Sequence, residues 1–99
     1  MEIKDELIYV ATPFGGKAKN YRFTKKLIKK LTKCHPNLCF VSPILAFGHM
    51  YNDMPYEDGM RLCYTLLDVC TSIWIFGGSK GVSLEREFAQ KYNITIREL

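Results

Sequence analysis

The segment Ile73-Trp74-Ile75-Phe76-Gly77-Gly78-Ser79-Lys80-Gly81-Val82-Ser83-Leu84-Glu85-Arg86-Glu87-Phe88-Ala89 constrains the fold of this chain more than any other. Four apolar residues, β-branched or aromatic, run into a Gly-Gly-Ser-Lys-Gly turn and then into a segment whose apolar residues recur at helical spacing. The pattern predicts strand, tight loop, helix. Such a loop presents free backbone N–H groups at a helix N-terminus. In an open parallel sheet, ligands sit at the carboxyl ends of strands, where unpaired donors and the helix dipole favour an anion such as a phosphate. The spacing matches neither the P-loop nor the six-residue dinucleotide fingerprint, so the loop alone names no ligand.

Within the predicted helix, Val82, Phe88, Ala89 and Tyr92 share a face, and Glu85, three residues after Val82 and four before Ala89, lies on it too. Glu87 points elsewhere and stands four residues before Lys91, the spacing of a solvated pair. An inward carboxylate near the first turn costs several kcal/mol without a partner, or its pKa rises. Its outlet is the cleft above the loop. The same placement also suits a carboxylate that caps backbone N–H groups or pairs with a lysine.

Leu7-Ile8-Tyr9-Val10-Ala11 reads as a first, central strand buried on both faces. Thr12-Pro13-Phe14-Gly15-Gly16 breaks it with a second glycine loop, where backbone can approach a ligand closely. Residues 17–33 are helical by spacing: Phe23, Leu27 and Leu31 form one inner row, Ile28 widens it, and lysines cover the rest. Leu38-Cys39-Phe40-Val41 is a second buried strand stopped by Ser42-Pro43. Strand, helix and strand imply a right-handed crossover and a parallel sheet.

Residues 43–56 carry Pro43, Gly48, Asn52 and Pro55 among Phe47, His49, Met50, Tyr51 and Tyr56. They read as a long irregular loop, either a lid over a site or an aromatic face for a partner. A helix begins at Pro55, Glu57 and Asp58 and turns Met60, Cys63, Tyr64, Leu67 and Cys70 inward. Ile94-Thr95-Ile96 supplies a last short strand. The expectation is one α/β domain over residues 1–99, with four strands alternating with three helices.

Composition narrows the class. With 99 residues, 47% hydrophobic and 13% aromatic, the chain can bury a small core and is not disordered. No apolar run approaches the ~18–20 residues of a membrane span, and Met1-Glu2-Ile3-Lys4-Asp5-Glu6 is too charged for a signal peptide, so a cytoplasmic protein is expected. Cysteines 34, 39, 63 and 70 form no Cys-x-x-Cys pair and read as reduced core thiols. His35 and His49 stand apart from them, so neither a metal nor a cofactor is expected. The net charge of +4 is concentrated at Lys25, Lys26, Lys29, Lys30 and Lys33 on one helix. Lysines without arginine or interleaved aromatics read as a solvated face rather than a nucleic-acid footprint.

Tyr9 followed by a loop with Gly15-Gly16, a strand followed by Ser42-Pro43, and Ser79-x-Gly81-x-x-x-Glu85-x-x-x-Ala89 resemble the nucleoside 2-deoxyribosyltransferase-like superfamily over nearly the whole chain. That group includes the 2′-deoxynucleoside 5′-phosphate N-hydrolases. The resemblance implies a flavodoxin-like, Rossmann-like three-layer sandwich with a four-stranded parallel sheet of order 2-1-3-4. It implies Glu85 as nucleophile, Ser79 and Gly81 at the 5′ end of the ligand, and Tyr9, Pro13, Gly15, Gly16 and Gly77 around the pocket. In such enzymes a carboxylate attacks C1′ through an oxocarbenium-like transition state and the base departs with a proton. Two family acids fall on Thr71 and about Cys63; Asp58, at a helix start near the cleft, is the candidate replacement, with Asp68 off the inner row.

The expected function is therefore binding of a nucleoside or nucleotide, with cleavage or transfer of its N-glycosidic bond. The alternatives are a non-catalytic nucleotide-binding or sequestering module, in which Glu85 hydrogen-bonds a ribose hydroxyl, and an interaction protein using the aromatic loop. Family sites are often completed by a neighbouring subunit, which makes a homodimer or larger homo-oligomer the expectation.

Overall fold

In the computed structural model, which describes residues 6–99, strand β1 (Glu6–Ala11) is the axis of the molecule, buried from Ile8 to Ala11. The charged stretch at residues 1–5 lies outside the described residues. β1 pairs with β2 (Leu38–Val41) on one side and β3 (Ser72–Ile75) on the other, and β3 pairs with β4 (Thr95–Glu98). Every pairing is parallel, as the alternation of strands and helices predicts, and the order is 2-1-3-4, as the resemblance implies. Parallel strands need long crossovers, and helices supply them: α1 (Ala18–Cys34), α2 (Pro43–Phe47), α3 (Tyr56–Asp68) and α4 (Lys80–Lys91).

Alternation along the strands sorts the core into two layers. Tyr9, Ala11, Ile73 and Ile75 face α3 and α4 and pack with Leu67, Val82 and Ala89. Ile8, Val10, Phe40 and Trp74 face the other way, against Leu27, Ile28 and Leu31 of α1. Trp74 is enclosed by His35 and Phe40, each 5.2 Å away between ring centroids, and by the Arg97 guanidinium of β4 at 4.4 Å. Edge-to-face rings and a stacked cation each add about 1 kcal/mol beyond the area they bury.

Three expectations are corrected. Phe23 is 54% exposed, and its neighbour Thr24 is the fully buried residue of α1. Thr24 is satisfied across the layer by the Thr12 hydroxyl at 2.7 Å, and putting it inward rotates Phe23 to the flank. Residues 43–56 are not one irregular loop. Ser42 accepts from the backbone N–H groups of Ile44 and Leu45, Pro43 occupies the first turn, and α2 is followed by a 3₁₀ turn at Gly48–Met50, so there are four α-helices rather than three. Because β2 lies at the sheet edge, only Phe40 on it is buried; Cys39 is exposed, as is Cys34, Cys63 is half-buried, and only Cys70 is a buried thiol. Among the described residues no helix is long and apolar enough to cross a membrane.

Candidate functional site

A parallel sheet sends all its strand-to-helix loops to one edge, and there the chain leaves a cavity of about 590 Å³ on the α3/α4 side. That is the size of a small-molecule site. One wall is the loop after β1, with Thr12, Phe14 and Gly15. A second is α2 and the 3₁₀ turn, with Ile44, Phe47, Met50 and Tyr51. The remaining sides are Tyr56, Met60 and Cys63 of α3 and Ser79, Lys80, Gly81 and Glu85 at the start of α4.

Glu85 closes the floor. Its spacing from Val82 and Ala89 turns it toward the sheet, and it is 5% exposed. The Tyr9 hydroxyl, from the middle of β1, donates a hydrogen bond to its Oε2. Burial pushes the Glu85 carboxyl up to about 7, against the pull of that donated bond, which favours the ionised form. Burial, then the charge of Glu85, raises the Tyr9 phenol well above its ordinary value. The same two causes lift the Cys63 thiol to about 11. Near neutral pH the site thus holds one carboxyl poised between its two forms, beside a phenol and a thiol that keep their protons.

The rim is set by backbone geometry. Ser79 caps α4 by accepting from the Val82 N–H at 3.2 Å, which leaves its own O–H free to donate. A side chain on Gly81 would stand 3.2 Å from the Tyr56 hydroxyl, so glycine lets α4 approach α3 at the mouth. Lys80 Nζ lies 5.0 Å from the Tyr56 ring centroid and puts a positive charge there. On the opposite wall, Phe14 meets Tyr51 edge-on, with centroids 5.2 Å apart.

The structure brings together Gly15, Ser79, Gly81 and Glu85 of the expected residues, with Tyr9 beneath them through Glu85. Gly16 supports the wall rather than lining it: at φ +71° its missing Cβ would fall 2.8 Å from Tyr51 carbons. Pro13 and Gly77 face a different groove, on the α1 side, where a side chain on Gly77 would stand 3.3 Å from the proline ring. Asp58 is exposed and does not line the cavity, nor does Asp68, also exposed. Thr71 is at the other end of the sheet, where its hydroxyl donates to the Leu7 carbonyl at 3.2 Å. Among the described residues Glu85 is thus the one carboxylate on the cavity, and no cluster of three His, Cys, Asp or Glu could hold a metal.

Sequence reasoning offered residues 43–56, Tyr56 among them, as a lid over a site, and Phe47, Met50, Tyr51 and Tyr56 do line the cavity; it missed that this segment forms α2, and it missed Lys80 at the mouth. Ser42-Pro43 carried the signal for α2, being a cap and a first-turn residue as well as a strand stop.

Fold and site together define a flavodoxin-like α/β domain with a small-molecule-sized cavity at the carboxyl ends of its strands, floored by a buried carboxyl of near-neutral pKa. The chain belongs to the family described as "Domain of unknown function (DUF7768)", which it matches over residues 6–99. No curated protein matches it.

Proposed function

We propose that the cavity binds a nucleoside or nucleotide and that Glu85 cleaves or transfers its N-glycosidic bond. The observation that carries this reading is the buried Glu85 carboxyl, steadied by Tyr9 and opening onto a cavity with one apolar wall and one polar rim. Phe14, Phe47, Met50 and Tyr51 suit a flat base. The Ser79 hydroxyl, the α4 N-terminus and Lys80 suit the hydroxyl or phosphate end of a sugar. Glu85 opens onto the same cavity as both, and the resemblance of Ser79-x-Gly81-x-x-x-Glu85 to the deoxyribosyltransferase-like motif agrees with this reading. A cytoplasmic homodimer or larger assembly belongs to the same reading, and light scattering tests it.

In the proposed reaction the ionised carboxylate forms a bond to C1′, and the electron pair of the N-glycosidic bond leaves with the base, which takes a proton from solvent water. Water, losing a proton, or a second base then displaces Glu85 from C1′ and restores the carboxylate. The Tyr9 hydrogen bond orients the nucleophile and stabilises it as it leaves. Only the ionised form attacks, so turnover rises with pH through about 7.

One observation favours the second reading, binding without cleavage: Asp58 stands outside the cavity and no other carboxylate faces it. Chromatography of bases released from a panel of nucleosides and 5′-monophosphates, with wild type beside Glu85→Gln, decides. Base released by wild type alone establishes the glycosidase. No release, with ligand still raising the Tm, leaves the binding module; neither release nor binding overturns both.

A further inference from the structure

We propose that the outer face of α1, with the groove along its flank, binds single-stranded nucleic acid. α1 carries seven of the chain's 14 basic residues, from Lys19 to Lys33, and none of its 10 acidic ones. All seven are exposed, and they face outward over a helix about 25 Å long. Arg22 and Lys26, Lys25 and Lys29, and Lys26 and Lys30 repel at one-turn spacing, with no carboxylate between them. Read as lysines alone the run is a solvated face, but the same helix also carries Arg22 and an exposed Phe23, the arginine and the aromatic that reading lacked. A uniformly basic helix, on a chain whose remainder is net negative, is matched by a polyanion that takes the place of its counterions.

Phe23 says which polyanion. It is 54% exposed on the edge of this basic face, with Lys19 and Lys26 one turn to either side. It lines an open groove of about 430 Å³ with Asn20, Phe76 and Leu99, and Leu99 is itself 54% exposed. The carboxylates of an acidic peptide make no use of an exposed ring, whereas each unpaired base of a single strand stacks on an aromatic face while its phosphates follow a positive track. A duplex keeps its bases stacked inside and cannot use the ring. RNA and DNA single strands share this chemistry. The surface is on the opposite side of the sheet from Glu85, and its groove shares no lining residue with that cavity, so it stands independently of the nucleoside reading.

The test is fluorescence anisotropy of the full chain with labelled oligouridylate and oligothymidylate of about 12 nucleotides, within known single-strand site sizes. Binding is expected at about 50 mM salt, with a log–log salt slope of about −3, as four phosphate contacts would give. Phe23→Ala should weaken it about five-fold or more by removing the stacking ring. Joint Lys25→Gln, Lys26→Gln, Lys29→Gln and Lys30→Gln substitution should abolish it and flatten the slope, with circular dichroism reporting whether α1 persists. If that variant unfolds, Phe23→Ala, at an exposed position, still decides. Tighter binding of the uridylate or the thymidylate assigns the strand to RNA or DNA. Failure to bind either oligonucleotide overturns the proposal, as does equal affinity for a duplex with Phe23→Ala unchanged. So does retention on phosphatidylserine vesicles or polyglutamate without oligonucleotide binding.

Discussion

At Glu85 the folded chain holds a proton that the unfolded chain releases. The carboxyl goes from an ordinary 4.5 to about 7 on folding, because burial disfavours its charge more than Tyr9 restores it. Between those two values the native state binds more protons than the unfolded state, so stability falls as pH rises from about 4.5 to about 7 and is level above. A shift of that size corresponds to about 3 kcal/mol. Glu85→Gln is therefore expected to be more stable than wild type by up to about 3 kcal/mol at pH 8, and no different at pH 4.5, in urea denaturation. Tyr9→Phe removes the one donor that holds the carboxyl down, so its titration by carbon-13 NMR should move above 7. Glu85 was legible because a helix period is local: Val82 and Ala89 fix its direction. Thr24 was not, because burying a hydroxyl depended on Thr12, which only the folded layer brings within reach. Asp58 was placed correctly on a helix start but in the wrong direction, since its own turn faces solvent.

Among the elements, α2 shapes the site most, and it exists because Ser42 satisfies its first N–H groups. Five residues cannot hold a helix by propensity, so its presence was not readable from periodicity. Its continuation carries Tyr51 against Gly16, tying the loop after β1 to the turn after α2. Gly16→Ala adds strain at φ +71° and drives a methyl into the Tyr51 ring. The expected result is a loss of about 1 kcal/mol in stability and a larger loss of ligand affinity, seen by denaturation beside calorimetry with whichever nucleoside binds. The strands, by contrast, were legible nearly to the residue: buried parallel strands are continuous apolar runs, and β1 and β3 are written that way. β2 was read as buried although it is an edge, because its neighbours, not its composition, decide that.

For the whole molecule, alternating strands and helices with right-handed crossovers made the parallel sheet legible, while its order, 2-1-3-4, was implied by the family resemblance and is the order found. The two unlike sides of the sheet did not. α3 and α4 cover one side, while on the other α1 packs over Ile8, Val10 and Phe40, and Trp74 relies on Arg97. Arg97→Gln should uncover the only tryptophan of the chain, shifting its emission to the red with less than about 1 kcal/mol lost by denaturation. The positive side and the carboxyl-floored side share a core but no opening.

Since α1 runs against the strands, its last residue, Cys34, comes out at the end of the molecule away from both openings, and it is exposed, as is Cys39 on β2; Cys63, by contrast, is set in the cavity wall with a thiol slow to ionise. A maleimide should therefore add to two thiols quickly and to Cys63 slowly, and an occupied cavity should slow that third addition further while leaving the first two alone. The chain thus carries a built-in chemical footprint of its own occupancy, read by intact mass without any engineered label.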